Sequence, residues 1–272
     1  KVRALNNTSL YGEDRGDAFK VGEIGPSTNA WAQNLLENNT PSYRDAYNII
    51  HHTNLLLYKI DGLSFTNEAD KNRIKAETYY LRAQTYFFLV RIWGDVPILL
   101  DPVLSDKIEL KPRSPKEEVM KQILSDIEQS LSLFPEEGFV NKNYSSKPAA
   151  YALKADALLW KAKVLSGGDS DLNEAVNAIN EVEKSGVELL PEYASVFNNA
   201  NKRNAEIIFS LYFERYETGN LSIATNTTSR TDNLSMAVNL DEAATSPNQS
   251  SHVYAQSDNT SVLYLKYQVY KR

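Results

Sequence analysis

The residues best equipped for chemistry stand near the start of the chain. Glu13-Asp14-Arg15-Gly16-Asp17 gathers three carboxylates around one guanidinium. Paired carboxylates could divide the acid and base steps of glycoside hydrolysis, yet no second acid stands out as a partner for this group. The spacing also lacks the D-x-[DN]-x-[DN]-G register of an EF-hand calcium loop. A solvated loop and a polar contact to a ligand remain, and the residues leave both open. His51 and His52 are adjacent on a helical stretch, so their side chains point about 100° apart and cannot both face one metal. No G-x-S-x-G, GxxxxGK[ST], H-E-x-x-H or G-x-G-x-x-G pattern occurs. No catalytic residue, metal or cofactor is expected.

Aromatic residues outside regular elements are a different resource. Trp31 lies in an Asn-rich stretch, and Tyr212, Tyr216 and Tyr254 lie at or beyond the end of an apolar run. An exposed ring can stack on the C–H face of a sugar while nearby amides, carboxylates and guanidinium groups bond its hydroxyls. Asn29, Arg15, Asp17, Glu214 and Arg215 supply such groups. The candidate ligand-binding residues are therefore Arg15, Asp17, Asn29, Trp31, Tyr212, Arg215 and Tyr216. By contrast, Tyr79, Tyr80, Tyr86, Phe87 and Phe88 sit in a helical stretch before Trp93, and that spacing predicts core.

Those residues need a scaffold, and 272 residues can bury one. Zero cysteine removes disulfides, thiolate metal sites and a cysteine nucleophile. A net charge of −6 argues against a nucleic-acid partner. Residues 1–40 are polar and irregular, 41–186 read as helix after helix, and 187–272 as short strands and polar loops. The fold class expected is mainly α, a TPR-like helical hairpin array with long loops and a few short β-strands, in a single domain.

Punctuation marks the helices. The first follows Thr40-Pro41, turns Tyr43, Ala46, Tyr47, Ile50, Leu57 and Ile60 inward, and closes at Gly62. The second runs from near Thr66 to Trp93 with Ile74, Leu81, Thr85, Phe88 and Ile92 on one face. Ser114-Pro115-Lys116-Glu117 reads as a capping box opening a third, with Val119, Ile123, Ile127, Leu131 and Phe134 inward. The fourth begins around Pro148 and carries Tyr151, Ala155, Leu158, Ala162 and Leu165. Asp171 with Glu174 caps the fifth, whose inward set is Ala175, Val176, Ile179 and Val182, until Gly186. Small residues (Ala152, Ala155, Ala162, Ala175, Ala178) stand where the last two helices would touch. Glu206 to Phe213 and Val262 to Tyr267 read as strands. Residues 222–261 hold 8 Ser, 6 Thr and 5 Asn, too polar to supply core. The N-x-[ST] sequons at Asn220, Asn226, Asn233, Asn248 and Asn259 are discounted, because a run of Asn, Ser and Thr generates them by chance.

The block RIKAETYYLRAQTYFFLVRIWGDVP, residues 73–97, resembles the signature helix of the SusD/RagB family. Members carry Ala-Glu-x-x-x-x-Arg-Ala-x-x-Tyr-Phe-x-Leu followed by Trp-Gly-Asp-Val-Pro. Ala76, Glu77, Arg82, Ala83, Tyr86, Phe87 and Leu89 match the first element, and Trp93 to Pro97 the second. Also similar are Tyr47 to Ile60 (with Thr53-Asn54 where members have Ala-Asn), Arg113 to Ile127, Ala149 to Leu165 and Asn204 to Phe209.

The resemblance implies a non-catalytic nutrient-binding lipoprotein of the Bacteroidota outer membrane, on its extracellular face. It implies four TPR-like units, an oligosaccharide ligand (in some members peptide), and a SusC/RagA-like TonB-dependent transporter as partner. Membrane contact would run only through a lipid anchor outside this chain. The alternatives are a peptide-binding member and a TPR-type adaptor with no small ligand. Family ligand sites lie before the first helix and after the EIIF segment, which here are residues 11–33 and 212–260. With neither lipidated cysteine nor the family's second half, the chain is expected to be incomplete.

Overall fold

The computed structural model describes residues 42–105 and 110–210. Five α-helices succeed one another there: α1 (Arg44–Ile60), α2 (Glu68–Trp93), α3 (Lys116–Leu133), α4 (Lys147–Val164) and α5 (Asp169–Glu183). Short 3-10 turns follow at Tyr193–Phe197 and Asn199–Asn201. Each helix packs on the next, and α2 also reaches α4. The expected mainly helical array is present.

Local chemistry sets the ends. The Asn67 side chain accepts from the Ala69 N–H at 3.0 Å to start α2, and the Ser146 hydroxyl accepts from the Ala149 N–H at 3.3 Å to start α4. In α5 the cap sits three residues earlier than expected: Gly168 is the N-cap, and Asp171, inside the first turn, reaches back to accept from the Gly168 N–H at 3.3 Å. Gly94 and Gly186 follow α2 and α5 with φ of +69° and +79°, a region costly for any residue with a Cβ. One expected cap is not made. Ser114 spends its N–H on the Val96 carbonyl, and the N–H of Lys116 is taken by Asp95 at 2.9 Å. The capping box fails because α3 begins after Pro115, which leaves Ser114 outside the helix.

Val119, Ile123, Ile127, Leu131 and Phe134 are all buried, as their spacing predicts. Helix α2 departs from expectation. Its buried residues are Ala76, Thr78, Tyr80, Arg82, Ala83, Thr85, Tyr86, Phe87, Leu89 and Val90, so Thr85 is inward as expected, while Ile74 is exposed and Leu81, Phe88 and Ile92 are half-buried. With α1, α3 and α4 all packed against it, apolar residues are needed on several sides, so no single stripe marks the core. In α1, Tyr43 and Leu57 are less buried than expected. In α5, Val176 points out and Ala178 in, since 175, 178 and 182 share a helix face that 176 leaves by about 100°. Ala155, Leu158, Ala175 and Ala178 form the α4–α5 contact.

Residues 206–210 are not a strand. Among the described residues the only β-pairing is an isolated bridge between Val96 and Ser114. The Ile207 N–H bonds the Asn204 carbonyl and the Ser210 N–H bonds that of Lys142. The apolar character of this run serves burial, with Ile207 at 6% exposure, and no neighbouring strand takes its backbone. Residues 211–213 and the segment 262–267 lie outside the described residues.

Candidate binding segments and the helical scaffold between them

Arg15, Asp17, Asn29, Trp31, Tyr212, Arg215 and Tyr216 all lie outside the described residues. What is described is the helical scaffold that lies between the two segments in sequence. Before α1, the Ser42 hydroxyl accepts from the Arg44 N–H at 3.1 Å. The Tyr43 ring stands edge-on to Tyr47 and Trp93, with centroids 5.4 and 5.5 Å away. At the end of the described residues, Ser210 donates its N–H to Lys142 O at 2.8 Å and its hydroxyl to Asn143 Oδ1 at 2.9 Å. Phe209 meets Tyr80 edge-to-face at 5.9 Å. The Lys142 ammonium donates to Asn204 O at 2.7 Å, and burial holds its pKa below the usual lysine value.

The signature residues hold the helices of the scaffold to one another. Arg82 grips Asp126 with two nitrogens, Nε at 2.8 Å and Nη2 at 2.6 Å, and donates from Nη1 to Asn54 at 2.9 Å. Asn54 in turn donates to Leu99 O at 2.9 Å, and Gln122 donates to Asp126 at 2.9 Å. One buried network thus ties α1, α2, α3 and the segment after Val96. Such a pair is worth little as net attraction, but removing one partner strands a buried charge. The Tyr86 hydroxyl donates to Leu99 O at 2.9 Å and accepts from Leu99 N at 2.7 Å. Burial pushes its pKa up to about 12, so it stays protonated and can do both. Tyr47, raised by burial as well, donates to Pro97 O at 2.7 Å. Ser130 donates to Ala76 O at 2.8 Å, a close approach that only a small residue allows.

The His51–His52 pair makes a local contact rather than a metal site. His51 accepts from the Val103 N–H at 3.3 Å, and its ring lies 5.3 Å from that of His52. Among the described residues no three His, Cys, Asp or Glu side chains gather as a metal site, and no helix is long and apolar enough to cross a membrane.

One polar-aromatic cluster escaped the sequence reading. Arg91 of α2 faces Asp156 of α4 at 3.4 Å, and its guanidinium lies over the Phe87 ring, 5.2 Å from the centroid. Trp160 meets Phe87 edge-to-face at 6.1 Å. The i,i+4 spacing of Asp156 and Trp160 was the available signal; in a helix predicted to be core it reads as packing.

The SusD-like family described as starch-binding and associating with the outer membrane matches residues 3–159. SusD-like protein P25 of Formosa agariphila is 30% identical over 178 residues, covering 64% of this chain and 32% of that protein. A solved SusD superfamily protein from Bacteroides vulgatus superposes with a TM-score of 0.71 at 30% identity, over 86% of this chain and 51% of its own. A solved laminarin-binding SusD-like protein shares the fold, with a TM-score of 0.66 at 24% identity over 74% and 46% of the two chains. The chain thus spans about half the length, or less, of the relatives it matches.

Proposed function

We propose, for a chain that belongs to the SusD-like family, that it captures an oligosaccharide nutrient at the cell surface and delivers it to a SusC/RagA-like TonB-dependent transporter. Proteins of this family bind rather than catalyse, and the family associates with the outer membrane. The finer placement, on the extracellular face and held by a lipid anchor outside this chain, is part of the proposal. So is the division of labour, with residues 1–40 as a ligand-side segment, 41–186 as scaffold and 187–272 as loops completing the site. Arg15, Asp17, Asn29, Trp31, Tyr212, Arg215 and Tyr216 would contact the ligand.

The observation that carries the reading is the family match over residues 3–159, which spans both the N-terminal candidates and the Arg82 network. A supporting one is that a laminarin-binding protein shares the fold. Titration calorimetry of the chain with laminari-, xylogluco- and malto-oligosaccharides should show saturable heat with at least one, lost on Trp31→Ala or Tyr212→Ala without a change in thermal stability. Heat with peptides and none with glycans would replace this reading with peptide capture. Recovery of a soluble protein partner without any transporter would replace it with an adaptor.

A further inference from the structure

Trp160, Asp156 and Arg91 lie on the scaffold itself, away in sequence from every candidate named above. Two i,i+4 pairs confront each other across the α2–α4 contact, Phe87 and Arg91 on one side, Asp156 and Trp160 on the other. Phe87 is 1% exposed and forms the floor. The Arg91 and Asp156 side chains are 48% and 30% exposed, and Trp160 is partly exposed.

The hydrogen-bonding capacity here is largely unspent. A carboxylate can accept about four bonds and a guanidinium can donate five. Among the described residues, Asp156 has one partner, a nitrogen of Arg91 at the long distance of 3.4 Å. The indole N–H of Trp160 meets no acceptor among the described residues, and the Arg91 guanidinium meets no other carboxylate there. Burial raises the pKa of Asp156, with Arg91 opposing only in part. The carboxyl is therefore poorly compensated where it stands, and groups left so usually have a further partner.

We propose that Trp160, Asp156 and Arg91 form a second carbohydrate subsite on the helical scaffold, taking a neutral pyranose of a bound oligosaccharide. The ring's C–H face lies against the indole, and its hydroxyls donate to Asp156 and accept from Arg91. Charge decides the class of sugar. An acidic sugar would meet Asp156 and an amino sugar would meet Arg91, whereas the pair sums to zero and favours hydroxyls. The inference rests on the carbohydrate reading above but uses different residues.

The chain's three tryptophans, Trp31, Trp93 and Trp160, make indole N–H resonances a direct probe. In a nitrogen-15-labelled chain, with Trp160→Phe assigning the peak, titration with laminarihexaose, maltohexaose and a xylogluco-oligosaccharide should shift the Trp160 signal saturably. Asp156→Ala should weaken that response about tenfold or more, the loss expected for a charged hydrogen bond, with the fold intact by circular dichroism. A silent Trp160 alongside calorimetric heat and a moving Trp31 overturns the subsite and leaves the family reading standing. A Trp160 shift that Asp156→Ala does not weaken also overturns it, as does a larger shift with a glucuronate-bearing oligosaccharide. Response at Trp160 alone, untouched by Trp31→Ala and Tyr212→Ala, supports the subsite while rejecting the ligand segments named above.

Discussion

Asp95 accepts a hydrogen bond from the backbone N–H of Lys116 at 2.9 Å, so a residue of the Trp-Gly-Asp-Val-Pro motif caps a helix 21 positions further on. Gly94 makes the turn that aims it, and the bridge between Val96 and Ser114 fixes the distance. A lost cap costs about 0.5–2 kcal/mol. Asp95→Ala should lower Tm by about 2–4 °C per kcal/mol lost in thermal melts, while Asp95→Asn, which keeps the acceptor, should retain most of the stability. Equal melts for wild type and Asp95→Ala would show the cap to be idle.

Arg82 and Asp126 give the largest expected loss. Their side chains are 8% and 2% exposed, so Arg82→Met leaves a carboxylate buried without its main partner. Destabilisation of about 3–5 kcal/mol is expected in urea unfolding. Arg82→Met with Asp126→Leu should recover much of it, because the stranded charge goes with its partner. A double variant as unstable as the single one would mean that the network's geometry, not the charge, holds α1, α2 and α3 together.

How much of this is visible in a sequence depends on how local the cause is. The inward stripe of α3, Val119 through Phe134, is a one-sided pattern and reads directly. The stripe expected for α2 holds only at Thr85, because Tyr80 meets Phe209 and Phe87 meets Trp160, neighbours from two different parts of the chain. Asp95 capping Lys116 cannot be read from either residue's surroundings, whereas Ser114 looks like a cap and is not one. The run at Ile207 has strand composition but no partner strand among the described residues. Arg91 and Asp156 stand 65 positions apart, and periodicity within one helix carries nothing about what crosses it.

The α4–α5 turn should tolerate no side chain at Gly167. A Cβ there would stand 2.8 Å from Ala162 Cα and closer still to an Asp171 carboxylate oxygen, and the first of these is backbone. Gly167→Ala should cost about 1–3 kcal/mol, the range for overpacking. Gly138, with nothing within 4 Å of an added Cβ, is the control. Gly138→Ala should leave the unfolding midpoint nearly unchanged.

Asp156 separates a binding role from a structural one through pH. Burial raises its folded-state pKa above the ordinary carboxylate value, with Arg91 opposing in part. The folded state therefore holds its proton more tightly than the unfolded chain does. That contribution is fully present below the ordinary carboxylate range and is lost as pH rises through the raised folded value. Asp156→Asn imitates the protonated form and does not titrate. Its stability should match wild type at the acid end of that window and exceed it above, with the gap opening as pH rises and then staying constant. Urea midpoints measured across the window check this, and a gap of the opposite sign, with Asp156→Asn the less stable as pH rises, would mean that Arg91 outweighs burial. A carboxylate kept for structure would be expected to weaken the fold when removed. If Asp156→Asn stabilises at neutral pH while the Trp160 response to oligosaccharide weakens, the carboxylate is held at a cost to stability for the sake of the ligand.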